Sequence, residues 1–137
     1  MALISSKGMY GLAAMYELAQ SKTTKPVQIK GISARAGIPQ NYLEQLLSLL
    51  RRAGLVTSVR GAHGGYLLAH KPEDILIKDI FVALEGSLDV VDNTIDNKVL
   101  DIFYAQSNQK LAAIFEVPLS ELEQYQQRLS EQINYSI

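Results

Sequence analysis

The chain has 137 residues, 47% of them hydrophobic, with no cysteine and a formal net charge of −1. That length predicts one domain with room for an appendage. The missing cysteines exclude disulfides, thiolate metal sites and a cysteine nucleophile, and no apolar run nears the ~20 residues that span a bilayer.

The first predicted element is a helix over residues 4–20, where Leu12, Met15, Tyr16, Leu18 and Ala19 fall at helical spacing and Ser5 or Ser6 can cap the start. This stretch is apolar enough to resemble a signal peptide. Lys7, Glu17 and two glycines interrupt it, so it reads as mature structure of a cytoplasmic protein with no membrane partner. SKTTKP is a polar turn. VQIKGISARAG then predicts a short helix with Ile29, Ile32 and Ala36 on one face, stopped by Gly37, after which Ile38 turns inward. Pro39 suits the first turn of the next helix. That helix, QNYLEQLLSLLRRAG, carries Leu43, Leu46, Leu47 and Leu50 as an apolar stripe and ends at Gly54. LVTSV and YLLA read as two strands separated by RGAHGG.

Helix, short helix, tight turn, helix and two-stranded ribbon is the order of a winged helix-turn-helix, whose second helix enters the DNA major groove. The glycines at the ribbon tip permit positive φ and close approach to a phosphate or groove wall, and Arg60 at its base can reach either. An ordinary glycine-rich hairpin with a surface arginine fits the loop by itself equally well. The charge distribution favours DNA. Residues 1–72 hold nine Lys/Arg against two acids, a balance of +7, whereas residues 73–137 hold four against twelve, a balance of −8.

The remainder predicts a short helix over residues 76–85 with Ile80, Phe81 and Leu84 apolar, then an acidic loop, GSLDVVDNTIDN. VLDIFYAQSNQKLAAIFEV predicts a long helix bearing Val99, Ile102, Phe103, Leu111, Ile114 and Phe115, ended by Pro118. These are more apolar residues than one small domain covers. A copy of the helix in a second subunit would cover them, as would packing within the same chain. SELE, Ser120 to Glu123, has the form of a capping box opening a last helix through Tyr125 and Leu129. The divisions are residues 1–72 for DNA, 73–97 for the short helix and acidic loop, and 98–137 for the dimerisation helix, the C-terminal helix and its tail.

SSKGMYGLAAMYELA, YLEQLLSLLRRAGLVTSVRGAHGGYLLA and IKDIFVALEG together resemble the Rrf-type family of bacterial winged-helix transcription regulators. The resemblance is strong to about residue 87 and weaker beyond. It implies a mainly α fold with a two-stranded β wing and a long dimerisation helix, no enzymatic activity, and a homodimer on a palindromic operator in double-stranded DNA. It also implies a DNA-binding set of Ser6, Lys7, Gln40, Asn41, Tyr42, Gln45, Arg51, Arg52, Arg60, Gly61, His63 and Gly64. Amides such as Gln40, Asn41 and Gln45 can pair bidentately with adenine, and Tyr42 can reach a phosphate or pack on a sugar. Glu44 can accept from cytosine, but pairing with a neighbouring base such as Arg51 is the expected role. The implied dimer interface is Ile102, Phe103, Leu111 and Ile114.

Iron–sulfur members of the family carry three cysteines in the segment that reads GSLDVVDNTIDN here, so no cluster or other cofactor is expected. His63 and His70 lack partners at ligand spacing, and serines such as Ser33 and Ser48 read as helix-surface residues. KGMYGLAAMYELA, VALEG and the closing NYSI are similar to the branch of the family that represses cysteine metabolism. In that branch a terminal isoleucine accompanies binding to cysteine synthase (O-acetylserine thiol-lyase). The resemblance thus implies an enzyme partner for Tyr135, Ser136 and Ile137, against the plain alternative of a frayed terminus. Two other readings stay open: a protein-interaction module without specific DNA binding, and a regulator of the same family that answers another signal.

Overall fold

The computed structural model describes residues 2–21 and 23–136, with backbone alone for Tyr135 and Ser136. Its helices are α1 (Ser6–Gln20), α2 (Ile29–Ala36), α3 (Gln40–Arg52), α4 (Ile77–Glu85), α5 (Lys98–Ile114) and α6 (Leu122–Ser136). Strands β1 (Val56–Val59) and β2 (Gly65–Leu68) lie between α3 and α4, and short 3-10 turns occupy Pro72–Asp74 and Leu119–Glu121.

Local chemistry sets these boundaries. Of the two candidate serines, Ser5 caps α1, its hydroxyl accepting from the Lys7 N–H at 3.2 Å. Gly37 closes α2 with φ 69°, a left-handed conformation that costs a non-glycine residue. Across that turn the Ser33 hydroxyl donates to the Ile38 carbonyl. Ser33 is therefore half-buried and part of the turn, where the sequence had placed it on a helix surface. Pro39 is extended (φ −55°, ψ 134°) and stands just before α3 rather than in its first turn.

Leu43, Leu46, Leu47 and Leu50 of α3 are all buried and meet Ala14, Met15 and Leu18 of α1, with Ile32 and Ile38 between them. Each of these leucines, isoleucines and Met15 contributes about 1.5–3 kcal/mol by leaving water. Ile75, Ile80, Leu84 and Leu119 enter the same core, so α4 packs as one unit with the helix-turn-helix. The approach of α1 to α4 depends on missing side chains: a Cβ on Gly11 would lie 2.1 Å from Leu84 Cδ1.

β1 and β2 pair antiparallel from Val56 opposite Leu68 to Val59 opposite Gly65. A third backbone segment anchors this ribbon. The Tyr66 N–H donates to the Val27 carbonyl at 2.8 Å, and the Val27 N–H donates to the Tyr66 carbonyl at 2.9 Å. The wing is thereby tied to the entry of α2.

The chain after α5 folds back onto α4. The first amides of α4 have no partners within their own helix. Ile77 N–H donates to the Val117 carbonyl and Lys78 N–H to the Phe115 carbonyl, both at 2.8 Å. Phe115 stands edge-on to Phe81, ring centroids 4.9 Å apart, so it belongs to this junction and not to the exposed face of α5. α5 ends at Ile114, four residues before Pro118. The expected capping box is replaced by the 3-10 turn Leu119–Glu121, which has no side-chain cap. Its Glu121 N–H donates to the Pro118 carbonyl, a tighter bond that does the work expected of a capping side chain.

No residue of α5 is buried. Asn97 caps its start by accepting from the Val99 and Leu100 amides, and Asn108 accepts from the Val90 N–H of the acidic loop at 2.7 Å. Val99, Ile102, Phe103 and Ile114 are 76%, 71%, 59% and 61% exposed. At 100° per residue these four share one side of the helix, and Leu111 is half-buried beside them. On α6, Tyr125, Leu129 and Ile133 form a second exposed apolar row at i, i+4 and i+8. Helix α6 continues through Ser136, so the backbone of Tyr135 and Ser136 is helical where a tail beyond the last helix had been expected. The residue expected to anchor the partner, Ile137, lies outside the described residues, as does the side-chain placement of Tyr135 and Ser136. No helix among the described residues is long and apolar enough to cross a membrane.

Candidate nucleic-acid interface

An amphipathic α3 that spends its leucines on the core must turn its polar residues outward. Gln40, Asn41, Glu44 and Gln45 are accordingly exposed along one side of its first turns. Tyr42 differs. It is half-buried, its ring edge-on to Tyr10 of α1 at 5.8 Å between centroids. This contact orients the first turn of α3 against α1. Lys7 lies three residues before Tyr10, hence on the same side of α1, and is exposed with Ser6.

A cleft of about 460 Å³ opens between the start of α2, α3 and the wing. Of the sequence-predicted residues, it brings together Gln40, Arg51, Arg60, Gly61 and Gly64. Asn41 and Gln45 flank it on α3, His63 is exposed in the wing tip, and Arg52 is exposed at the far end of α3, outside the cleft lining. Gln28, Lys30, Ser58 and Tyr66 also line the cleft, and sequence reasoning missed them. Lys30 carried a signal as one of the nine cations of the basic half. Gln28 carried none, because its role depends on the distant wing: its side-chain amide donates to the Ala62 carbonyl at 3.4 Å.

The expected Glu44–Arg51 pair does not form. Seven residues of α-helix separate the two by about 10 Å along the axis. The Arg51 guanidinium instead donates to the Ser58 hydroxyl of β1 at 3.4 Å, bracing α3 against the wing. Glu17, the other acid of the basic half, is paired with Arg35 at 3.0 Å, and neither lines the cleft. The glycines at the wing tip divide by cause. Gly61 has φ 112° with open space around its Cβ position. Gly64 has no positive φ; a Cβ there would lie 2.1 Å from the Val59 carbonyl oxygen. A Cβ on Gly65 would lie 2.3 Å from the Val27 carbonyl oxygen. Strain alone therefore does not explain Gly64. It is buried at a point where two backbone segments touch.

A basic cleft between an exposed amide-bearing helix and a glycine-tipped ribbon defines a winged helix-turn-helix regulator. The chain matches the Rrf2 family model, described as iron-dependent transcriptional regulator, over residues 4–131, and it belongs to that family. Over 89 residues it is 47% identical to the HTH-type transcriptional regulator CymR of Bacillus subtilis, covering 65% of this chain and 64% of that protein. It is 46% identical over 86 residues to the HTH-type transcriptional regulator IscR of Aliivibrio salmonicida, covering 63% of this chain and 51% of that protein. The aligned stretch thus spans about half to two thirds of these curated relatives. The solved structure of B. subtilis CymR superposes with a TM-score of 0.79 at 37% identity, covering 91% of this chain and 98% of the other. T. potens IscR superposes with a TM-score of 0.73 at 38% identity, covering 88% and 85%. The relatives are transcription regulators, not enzymes.

The family description names iron, so the donor set bears on it. The chain has no cysteine. Among the described residues no group of three or more His, Cys, Asp or Glu side chains is placed to hold a metal ion. Asp89, Asp92 and Asp96 of the acidic loop are hard oxygen donors, and iron–sulfur clusters take thiolates. These residues do not fit such a cluster.

Proposed function

We propose that the chain is a homodimeric repressor in which residues 1–72 bind a palindromic operator and residues 98–137 join the subunits. The observation that carries this reading is the cleft, where Arg51, Arg60 and Lys30 converge beside the exposed amides of α3. Arginine and lysine there engage phosphates or a narrow minor groove, and the α3 amides read base edges. A pair of such heads about 34 Å or a multiple apart matches two half-sites. Support for the pairing comes from the uncovered apolar sides of α5 and α6.

The test is binding to a duplex that the wild-type protein selects from random sequence, measured at two salt concentrations. Arg60→Ala is expected to cost about 1–3 kcal/mol and to lower the salt slope by about one unit. Unchanged affinity would remove the wing from recognition. A protein-interaction module that ignores sequence would select no duplex at all.

The regulated genes are proposed to be those of cysteine and sulfur metabolism, controlled without an iron–sulfur cluster. This is supported by likeness to CymR, the global cysteine regulator of B. subtilis. The cysteine synthase partner of Tyr135, Ser136 and Ile137 belongs to the same proposal. Deleting Ile137 should abolish calorimetric binding of the enzyme while leaving DNA affinity nearly intact, because the tail is remote in sequence from residues 1–72. Equal binding by both chains would dismiss the tail as the docking element.

A further inference from the structure

Glu85 is the last residue of α4, and its carboxylate lies across the start of α1, 80 residues away. Oε1 accepts from the Ser5 N–H at 2.8 Å and the Gly8 N–H at 3.1 Å. The Ser5 hydroxyl donates to the same carboxylate, 2.7 Å from Oε1 and 3.0 Å from Oε2. That hydroxyl has one proton. With the proton given to Glu85, its lone pairs face the helix, and one accepts the Lys7 N–H at 3.2 Å. The amides of Ser5, Lys7 and Gly8 thus depend on one carboxylate, directly or through Ser5.

Two further features single this arrangement out. An acid at the C-terminus of its own helix opposes the helix dipole, and α4 has no base in its last turn. Glu85 is offset by the positive N-terminus of α1, which it meets instead. Gly8 makes room for it: a Cβ there would lie 2.7 Å from Glu85 Oε1. Beyond Glu85 the chain enters the acidic loop whose Val90 N–H is held by Asn108 of α5. Glu85 thus ties the end of α4, from which the chain leaves toward α5, to the start of α1.

We propose that Glu85 is a positioning residue for DNA binding, setting the first turn of α1 so that Lys7 stands against the phosphate backbone beside α3. The proposal rests on the reading of Lys7 as a DNA contact, and the experiment separates the two. Affinity for the selected duplex and its salt slope are measured for wild type, Lys7→Ala, Glu85→Ala and the double variant, with dimer mass and helical content checked in each. Lys7→Ala in the wild-type background is expected to lose about three- to tenfold in affinity and about one unit of salt slope. In the Glu85→Ala background the same substitution should change affinity less than about twofold, since residues acting through one network are non-additive. Glu85→Gln keeps an acceptor oxygen without the charge and should fall between wild type and Glu85→Ala; it replaces Glu85→Ala in the cycle if the latter does not fold. An equal loss from Lys7→Ala in both backgrounds overturns the positioning role and leaves the Lys7 contact standing. No loss from Lys7→Ala in the wild-type background overturns the contact and the proposal with it.

Discussion

A Phe103→Glu chain is expected to be a folded monomer with little specific affinity for DNA. Phe103 is 59% exposed on the subunit's own surface, beside Ile102 and Val99 at 71% and 76%. Nothing in the subunit's core depends on it, so the substitution leaves the winged-helix core intact. In a dimer each copy of Phe103 would leave water. Losing that burial costs about 2 kcal/mol per subunit, and two carboxylates brought into a dry interface add a desolvation penalty. The dimer dissociation constant should rise by about a thousandfold or more at about 1.4 kcal/mol per decade. A monomer would then engage one half-site and forgo the avidity of linked heads, on the order of 10²–10⁴ in affinity. Light scattering across micromolar concentrations reads the mass directly. A soluble dimer of unchanged mass would mean that this side of α5 does not join the subunits.

The second large effect is expected at the wing. Gly64→Ala and Gly65→Ala each drive a Cβ into backbone oxygen, at 2.1 Å from Val59 and 2.3 Å from Val27 respectively. Backbone atoms cannot rotate away as a side-chain terminus can, so overpacking of about 1–3 kcal/mol or more falls on each variant. The losses should differ in kind. Gly65→Ala strikes the paired bonds between Val27 and Tyr66, and so detaches the wing from the entry of α2. Gly64→Ala distorts the tip itself, including its N–H to the Gly61 carbonyl at 3.0 Å. Gly61→Ala pays only for its positive φ, at least about 1 kcal/mol, because nothing lies within 4 Å of the added methyl. Thermal melting and duplex binding of the three variants check this order. Melting and affinity equal to wild type in both Gly64→Ala and Gly65→Ala would falsify the close-approach account.

Much of the fold was legible without coordinates. The leucine stripe of α3, the stop at Gly37 and the β-branched run before RGAHGG each depend on residues within a turn or two of one another. Helical period, glycine conformation and the strand preference of β-branched residues act over that same range, so local pattern determines them. The zero cysteine count and the division of charge between the halves are likewise properties of the sequence itself. From them followed the winged helix, the basic face and the poor fit to a cluster.

The tertiary structure decided which polar groups meet. Arg51 reaches Ser58 rather than Glu44, because β1 packs beside α3 while Glu44 stands two turns away on the same helix. Gln28 holds the wing tip across 34 residues, and Glu85 holds the start of α1 across 80. Gly64 owes its place to the Val59 carbonyl oxygen, not to its own φ. Each of these is a distance between elements that the core brings together. Burial of leucines and isoleucines sets that distance without direction or regard for polar partners. Hydrogen bonds then form only where donor and acceptor arrive within about 3 Å at a suitable angle, and no short window of sequence encodes that arrival.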